Sequence, residues 1–130
     1  MGMQVLESCL YGEDLVAARQ YYVDILGLEE IAFDANRHLF MKAGESMVIV
    51  FKASATLVPD RGVPAHGSTG PGHLAFSVAH ESLAEKEALL AAHGIEIIER
   101  VEWGNGAKSI YFRDPAGNIL EFATRDLWFR

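Results

Sequence analysis

Residues Arg37 to Phe51, RHLFMKAGESMVIVF, can be laid on Lys108 to Phe122, KSIYFRDPAGNILEF, without a gap. Leu39 then matches Ile110, Phe40 matches Tyr111, Met41 matches Phe112, Lys42 matches Arg113 and Phe51 matches Phe122, while Glu121 falls on Val50. Upstream, VLESCL sets Glu7 against His73 of GHLAFS, each at the start of a strand that precedes a helix. A repeat of this kind restricts the chain to two copies of one supersecondary unit, read here as strand, helix and three strands. In such a unit the first strand can lie parallel beside the last once the helix crosses over right-handedly, with the middle strands antiparallel.

The individual segments support that order. Val5 to Tyr11 alternates as a strand, with Val5, Glu7, Cys9 and Tyr11 on one face. Glu13 and Asp14 suit the positive end of a helix in which Leu15, Ala18, Tyr22, Ile25 and Leu26 recur at helical spacing until Gly27. Three short strands follow, Glu30 to Phe33, Arg37 to Lys42 and Ser46 to Lys52. Between Ala53 and Gly70 prolines and glycines replace periodicity, which predicts a linker. Gly72 to Val78 then reads as a strand, with His73, Ala75 and Ser77 on one face. Ser82 is placed to cap a helix whose face is traced by Leu83, Ala84, Glu87, Leu90 and Ala91, closed by Gly94. A strand from Ile95 to Glu102, a turn at Trp103 to Gly106 and a hairpin turning at Asp114 to Asn118 complete the unit. The expected domain is single, spanning 1–130, with modules 1–52 and 71–124, linker 53–70 and a short tail.

Composition excludes several function classes. With 130 residues, half of them hydrophobic, the chain holds one compact core and not two ordinary domains. Eighteen acidic against eleven basic residues leave a net charge of −7, and no two Lys or Arg are adjacent, so no nucleic-acid surface is expected. No apolar run approaches a membrane span and no leader pattern opens the chain, so a cytoplasmic protein without membrane contact is expected. Cys9 is the one cysteine, which suits a reducing compartment.

Three residues stand out as chemistry. Glu121 sits between Leu120 and Phe122, where an unpaired carboxylate is costly, so it should face solvent or a cation. His73 would lie on the adjacent strand, and Glu7 on the equivalent strand of the other half. An imidazole and two carboxylates on a concave sheet make a three-ligand divalent metal site with open positions for substrate. Tyr111 and Arg113 share a face and are expected, with Trp103 and the loop residue His66, as substrate contacts. The competing roles are cross-strand packing for Tyr111, solvent exposure for Arg113 and His66, and a pocket wall or subunit contact for Trp103 and Trp128. Cys9 is expected as a small buried apolar residue, His38 and His80 as surface residues, and His93 as a last-turn residue that suits the helix dipole.

Through Leu6 to Leu28 (LESCLYGEDLVAARQYYVDILGL), PGHLAFSV and IYFRDPAGNILEF, nearly the whole chain resembles the vicinal oxygen chelate superfamily. That superfamily includes glyoxalase I, fosfomycin-resistance thiol transferases, bleomycin-resistance proteins and extradiol dioxygenases. The resemblance implies an α+β fold in which paired βαβββ modules form a curled mixed sheet, a half-barrel with the helices outside. It puts the metal-ligand positions at Glu7, Val50, His73 and Glu121. Val50 cannot bind a metal, so the chain departs from the four-ligand pattern and is closer to three-ligand members, which more usually have His at the position of Glu7. The expected activity is that of a metal-dependent lyase, isomerase or thiol transferase on a small chelating substrate. Mn, Ni, Co or Zn would be the ion, and Glu121 or Glu7 would move the proton. The alternatives are a non-catalytic protein that sequesters a drug or metabolite, a domain with a decayed site, and an extradiol dioxygenase, against which the single His argues. A homodimer is expected, since small relatives are usually dimers.

Overall fold

A computed structural model describes residues 2–59 and 62–129; Asp60 and Arg61 of the expected linker, Met1 and Arg130 lie outside the described residues. The chain divides into two compact units, Met1–Gly70 and Pro71–Arg130. No helix among the described residues is long and apolar enough to cross a membrane.

The first unit holds β1 (Glu7–Gly12), α1 (Leu15–Arg19), β2 (Glu29–Asp34), β3 (His38–Ala43), β4 (Ser46–Lys52) and a short α2 (Ala53–Thr56). Its open sheet has the order β1-β4-β3-β2, with β1 parallel to β4 and the other pairs antiparallel. The second unit repeats the plan with β5 (His73–Val78), α3 (Leu83–Ala92), β6 (Glu99–Glu102), β7 (Lys108–Arg113) and β8 (Ile119–Thr124), ordered β5-β8-β7-β6. Again the first strand runs parallel to the last, β5 beside β8. The α+β class and the paired βαβββ modules are therefore as expected.

Several boundaries differ from the sequence reading. β1 starts at Glu7 because its partner begins at Ser46; Val5 and Leu6 are left 71% and 76% exposed. β6 starts at Glu99, since Gly94, at φ 67°, lets Ile95 turn back to donate to the Leu90 carbonyl and close α3. The first helix is α-helical only to Arg19 and continues as a π-helix over Gln20–Ile25. A π turn holds more residues, so neighbouring side chains diverge less, and Tyr21 and Tyr22 are both buried. The expected linker opens with α2, where Thr56 is buried and its carbonyl accepts from the His66 amide.

Ser82 makes no side-chain cap, because a 3₁₀ turn at His80–Ser82 leads into α3. Ala84 and Ala91 are exposed, and the inward face of α3 is instead Leu83, Lys86, Glu87 and Leu90. Lys86 lays its chain toward the sheet, with Nζ 5.7 Å from the Phe122 ring centroid.

The strand registers also correct the ungapped match of the two hairpins. β3 turns into β4 through Gly44-Glu45, between the paired Ala43 and Ser46. β7 turns into β8 through three residues, Pro115-Ala116-Gly117, between Asp114 and Asn118, whose amide and carbonyl bond at 3.0 Å. With that one extra residue, Leu39 and Met41 still match Ile110 and Phe112, but Val50 matches Phe122 and Ile49 matches Glu121. The first unit is apolar at the position of Glu121 in either alignment.

Candidate functional site

The turn Asp114 to Asn118 builds the site in the second unit. Asp114 Oδ1 accepts from the amides of Ala116 and Asn118 at 2.9 and 2.8 Å, and its Oδ2 accepts from Asn118 Nδ2 at 2.9 Å. The remaining oxygen of Asn118 accepts from the Gly72 amide at 2.7 Å, and Ile119 donates to the Gly72 carbonyl at 2.8 Å. These bonds fasten the head of β5 to the head of β8. His73, the next residue on β5, thereby lands beside Glu121 of β8.

His73 Nδ1 lies 3.0 Å from the Ile119 carbonyl, and its Nε2 lies 3.2 Å from Glu121 Oε1. A carbonyl only accepts, so Nδ1 carries a proton, and Nε2 is the ring nitrogen that faces the carboxylate. Two acceptors this close repel unless a proton or a cation lies between them. Glu121 is only 4% exposed, and its Oε2 is buried without a hydrogen-bond partner. Tyr111 is the cross-strand partner of Glu121, and its ring stands 6.1 Å from the imidazole in near-parallel stacking. Its phenol pKa is raised, first by burial and then by the Glu121 charge, which keeps the hydroxyl protonated.

These donors fit part of a divalent metal site. Ligands about 2.1 Å from one ion at right or tetrahedral angles lie roughly 3.0–3.4 Å apart, and Nε2 and Oε1 are spaced accordingly. The orphaned Oε2 and the backbone-anchored imidazole are what such a site uses. The third expected ligand, Glu7, stands exposed at the head of β1 in the first unit. Among the described residues no three His, Cys, Asp or Glu side chains are gathered for a metal.

His73, Tyr111 and Glu121 line a pocket of about 700 Å³ in the second unit. Trp103, expected as a substrate contact, lines it too, held by its Nε1 donating to Ser109 Oγ at 2.9 Å. Arg113 is exposed at the end of β7, outside the pocket wall. His66 belongs to the first unit, where its Nδ1 lies 2.6 Å from the Tyr11 hydroxyl and its ring meets Phe51 edge to face. Cys9 is exposed and not buried, since alternation turns it away from Leu10, which enters the core. Its thiol pKa is raised, by partial desolvation first and then by Glu7. His38 is half-buried and stacks on Phe40 at 4.1 Å, whereas His93 is exposed at the end of α3.

The sequence reading missed two contributions. Asn118 reads as a turn former, and its bond to Gly72 depends on a strand pairing that no local signal carries. Phe129 was assigned no role, yet with Trp128 it walls the pocket. Asp126 holds that segment through His80 Nε2 at 2.8 Å, and Asn105 donates to the Asp126 carbonyl at 3.0 Å. The Trp128-Phe129 pair, two large apolar residues in a polar tail, was the available signal.

Comparison with known proteins agrees with the fold. The family described as Glyoxalase/Bleomycin resistance protein/Dioxygenase superfamily matches residues 4–122. A crystal structure of lactoylglutathione lyase from Agrobacterium tumefaciens superposes with a TM-score of 0.94 at 32% identity, covering 99% of this chain and 98% of that one. A glyoxalase/bleomycin resistance protein/dioxygenase from Nocardioides shares the fold, with a TM-score of 0.74 at 21% identity over 95% and 84% of the two chains. A glyoxalase domain-containing protein of Mycosarcoma maydis is 30% identical over 103 residues, 76% of this chain and 56% of its own length. The chain thus spans just over half of that relative. On the match over residues 4–122, and with two βαβββ units in place, the chain belongs to the glyoxalase/bleomycin resistance protein/dioxygenase superfamily.

Proposed function

We propose that the chain is a divalent-metal-dependent enzyme of glyoxalase type, a lyase, isomerase or thiol transferase acting on a small oxygen-bearing substrate. The observation that carries this reading is the convergence of His73 Nε2 and Glu121 Oε1 at 3.2 Å, with Oε2 buried and unpartnered. The similarity to a lactoylglutathione lyase supports the same class. His73 and Glu121 would hold the ion, with Glu7 as the third ligand, from the same chain or from the partner in a homodimer. Mn, Ni, Co or Zn bound there supplies Lewis-acid polarisation of substrate oxygens. Glu121, through the oxygen with no protein partner, takes and returns the substrate proton, and Glu7 is the second carboxylate able to do so. The Ile119 carbonyl fixes the imidazole's tautomer, and the protonated Tyr111 hydroxyl is a donor beside the reacting end of the substrate.

One His with two carboxylates is a poorer match to the 2-His-1-carboxylate set of Fe(II) oxygenases, which argues against dioxygenase chemistry. A sequestering protein without catalysis is the second reading, favoured by the aromatic walls of the pocket. A cytoplasmic setting accords with the single cysteine. Elemental analysis of protein purified without added metal or affinity tag decides between the two readings. Near-stoichiometric divalent metal that is lost in His73→Ala supports the enzyme; equal absence from both preparations removes its basis.

A further inference from the structure

The tail that walls the pocket is held by polar contacts more than by burial. Thr124, the last residue of β8, is 1% exposed and its Oγ1 accepts from the Lys108 amide at 3.0 Å, so the sheet is firm up to that point. Beyond it the chain makes a 3₁₀ turn at Arg125–Leu127, and Trp128 and Phe129 are left 80% and 61% exposed. Aromatic side chains as open as these add little apolar burial, and a segment with few buried contacts opens locally at low cost. What keeps this wall in place must therefore be sought among its hydrogen bonds.

Two side chains from outside the tail close on one residue. His80 Nε2, from the 3₁₀ turn ahead of α3, lies 2.8 Å from Asp126 Oδ2. Asn105, in the turn between β6 and β7, donates from Nδ2 to the Asp126 carbonyl at 3.0 Å and to the Leu127 carbonyl at 3.4 Å. Its own Oδ1 accepts from the Ala107 amide at 3.0 Å, which fixes the plane of the side chain. Trp103 sits in the same turn and walls the same pocket, so Asn105 joins the two aromatic walls. Within the tail, the Arg125 guanidinium stacks 4.7 Å from the Phe129 ring centroid, and the Phe129 amide donates to the Arg125 carbonyl at 3.0 Å. The turn and its aromatic pair thus form one small unit, tied to the rest of the molecule at Asp126 from both sides.

We infer that His80 and Asn105 are positioning residues: clasped on Asp126, they hold the Trp128–Phe129 tail as a strap along the pocket, and its release opens the route to Glu121. The inference rests on the proposed function only in taking the Glu121 pocket as the working site; the strap itself needs no metal. The test combines amide hydrogen exchange with carbodiimide labelling of carboxylates by glycine ethyl ester, both read by mass spectrometry. The full chain is first dialysed against EDTA, so that no bound ion shields Glu121. In Asn105→Ala and in His80→Ala the amides of Trp128 and Phe129 should exchange roughly tenfold faster, since each variant removes a tie on Asp126. Glu121 should be labelled several-fold faster, while Asp114, 6% exposed in the same unit, keeps its wild-type rate and so separates strap release from loss of the fold. His80→Gln, whose amide can donate to Asp126 in place of the imidazole, should return both rates to near wild type. Unchanged tail exchange, a rise at Glu121 matched by Asp114, a faster tail with no change at Glu121, or no rescue by His80→Gln overturns the inference. Metal content is measured separately, so a protein that takes up no metal but whose Glu121 labelling follows the strap sinks the metal-dependent reading and leaves this one standing.

Discussion

Asn118 Oδ1 accepts the Gly72 amide at 2.7 Å across the parallel junction of β5 and β8, one residue before His73 and three before Glu121. Asn118 is 2% exposed, so its loss leaves buried polar groups on both Gly72 and Asp114. Asn118→Ala is expected to cost about 1–3 kcal/mol of stability in urea unfolding. It should also weaken metal binding, because the imidazole loses its registration against Glu121. Metal affinity equal to wild type in a destabilised Asn118→Ala would show that the pair is positioned by other contacts.

Glu121→Gln separates stability from metal binding. An amide can donate to His73 Nε2 and removes a charge that is 4% exposed, so the thermal midpoint of the metal-free protein should stay level or rise. Divalent-ion affinity should fall by at least about 100-fold, since a first ligand loss should exceed the 10- to 100-fold cost of losing an outer-shell partner. A large drop in midpoint without metal would mean that the carboxylate already makes a stabilising interaction with His73 in the metal-free fold.

Stability at low pH should depend on Asp126. Its pKa is lowered by the Thr124 hydroxyl and then by His80. A folded pKa below the unfolded one contributes stability that is complete above the ordinary aspartate value of about 3.9 and is lost as pH falls through the lower, folded value. Thermal midpoints of Asp126→Asn should therefore lie below wild type at pH 6 and converge with it toward pH 2. Parallel curves over that range would contradict the assignment.

Cys9 should react slowly despite its exposure. Its thiol pKa is raised by desolvation and by Glu7, so the thiolate fraction at neutral pH is below that of a free cysteine. The rate of iodoacetamide alkylation should rise with a midpoint above about 8.5, the free thiol value. Glu7→Gln should move the midpoint down, and no movement would exclude the Glu7 charge as a contributor.

The repeat, the hairpins and the unusual position of Glu121 were legible in the chain because each rests on local alternation and turn chemistry. Less was legible where a partner strand sets the limit: Val5, Leu6 and the stretch after Ile95 have strand-forming residues, but the paired registers begin at Glu7 and Glu99, with only single backbone bonds from Leu6 and Ile98 before them. The single extra residue in the second hairpin was invisible to a gapless match, since residue classes in alternating strands agree equally well one step apart on a short window. Ser82 and the two alanines of α3 show the same limit for helices, where the burying face depends on what the helix lies against.

Residue order alone determined the two βαβββ modules, the polar turn between β7 and β8 and the three ionisable side chains worth suspecting, because periodicity and turn preference act over a few neighbours. Tertiary structure decided that His73 and Glu121 meet at 3.2 Å, that Asn118 and Gly72 hold them there, and that Trp128 and Phe129 wall the space above. Gly72 and Asn118 are 46 positions apart and bond across that separation, and a parallel register is set by the strands, turn and helix acting together and not by any one of them.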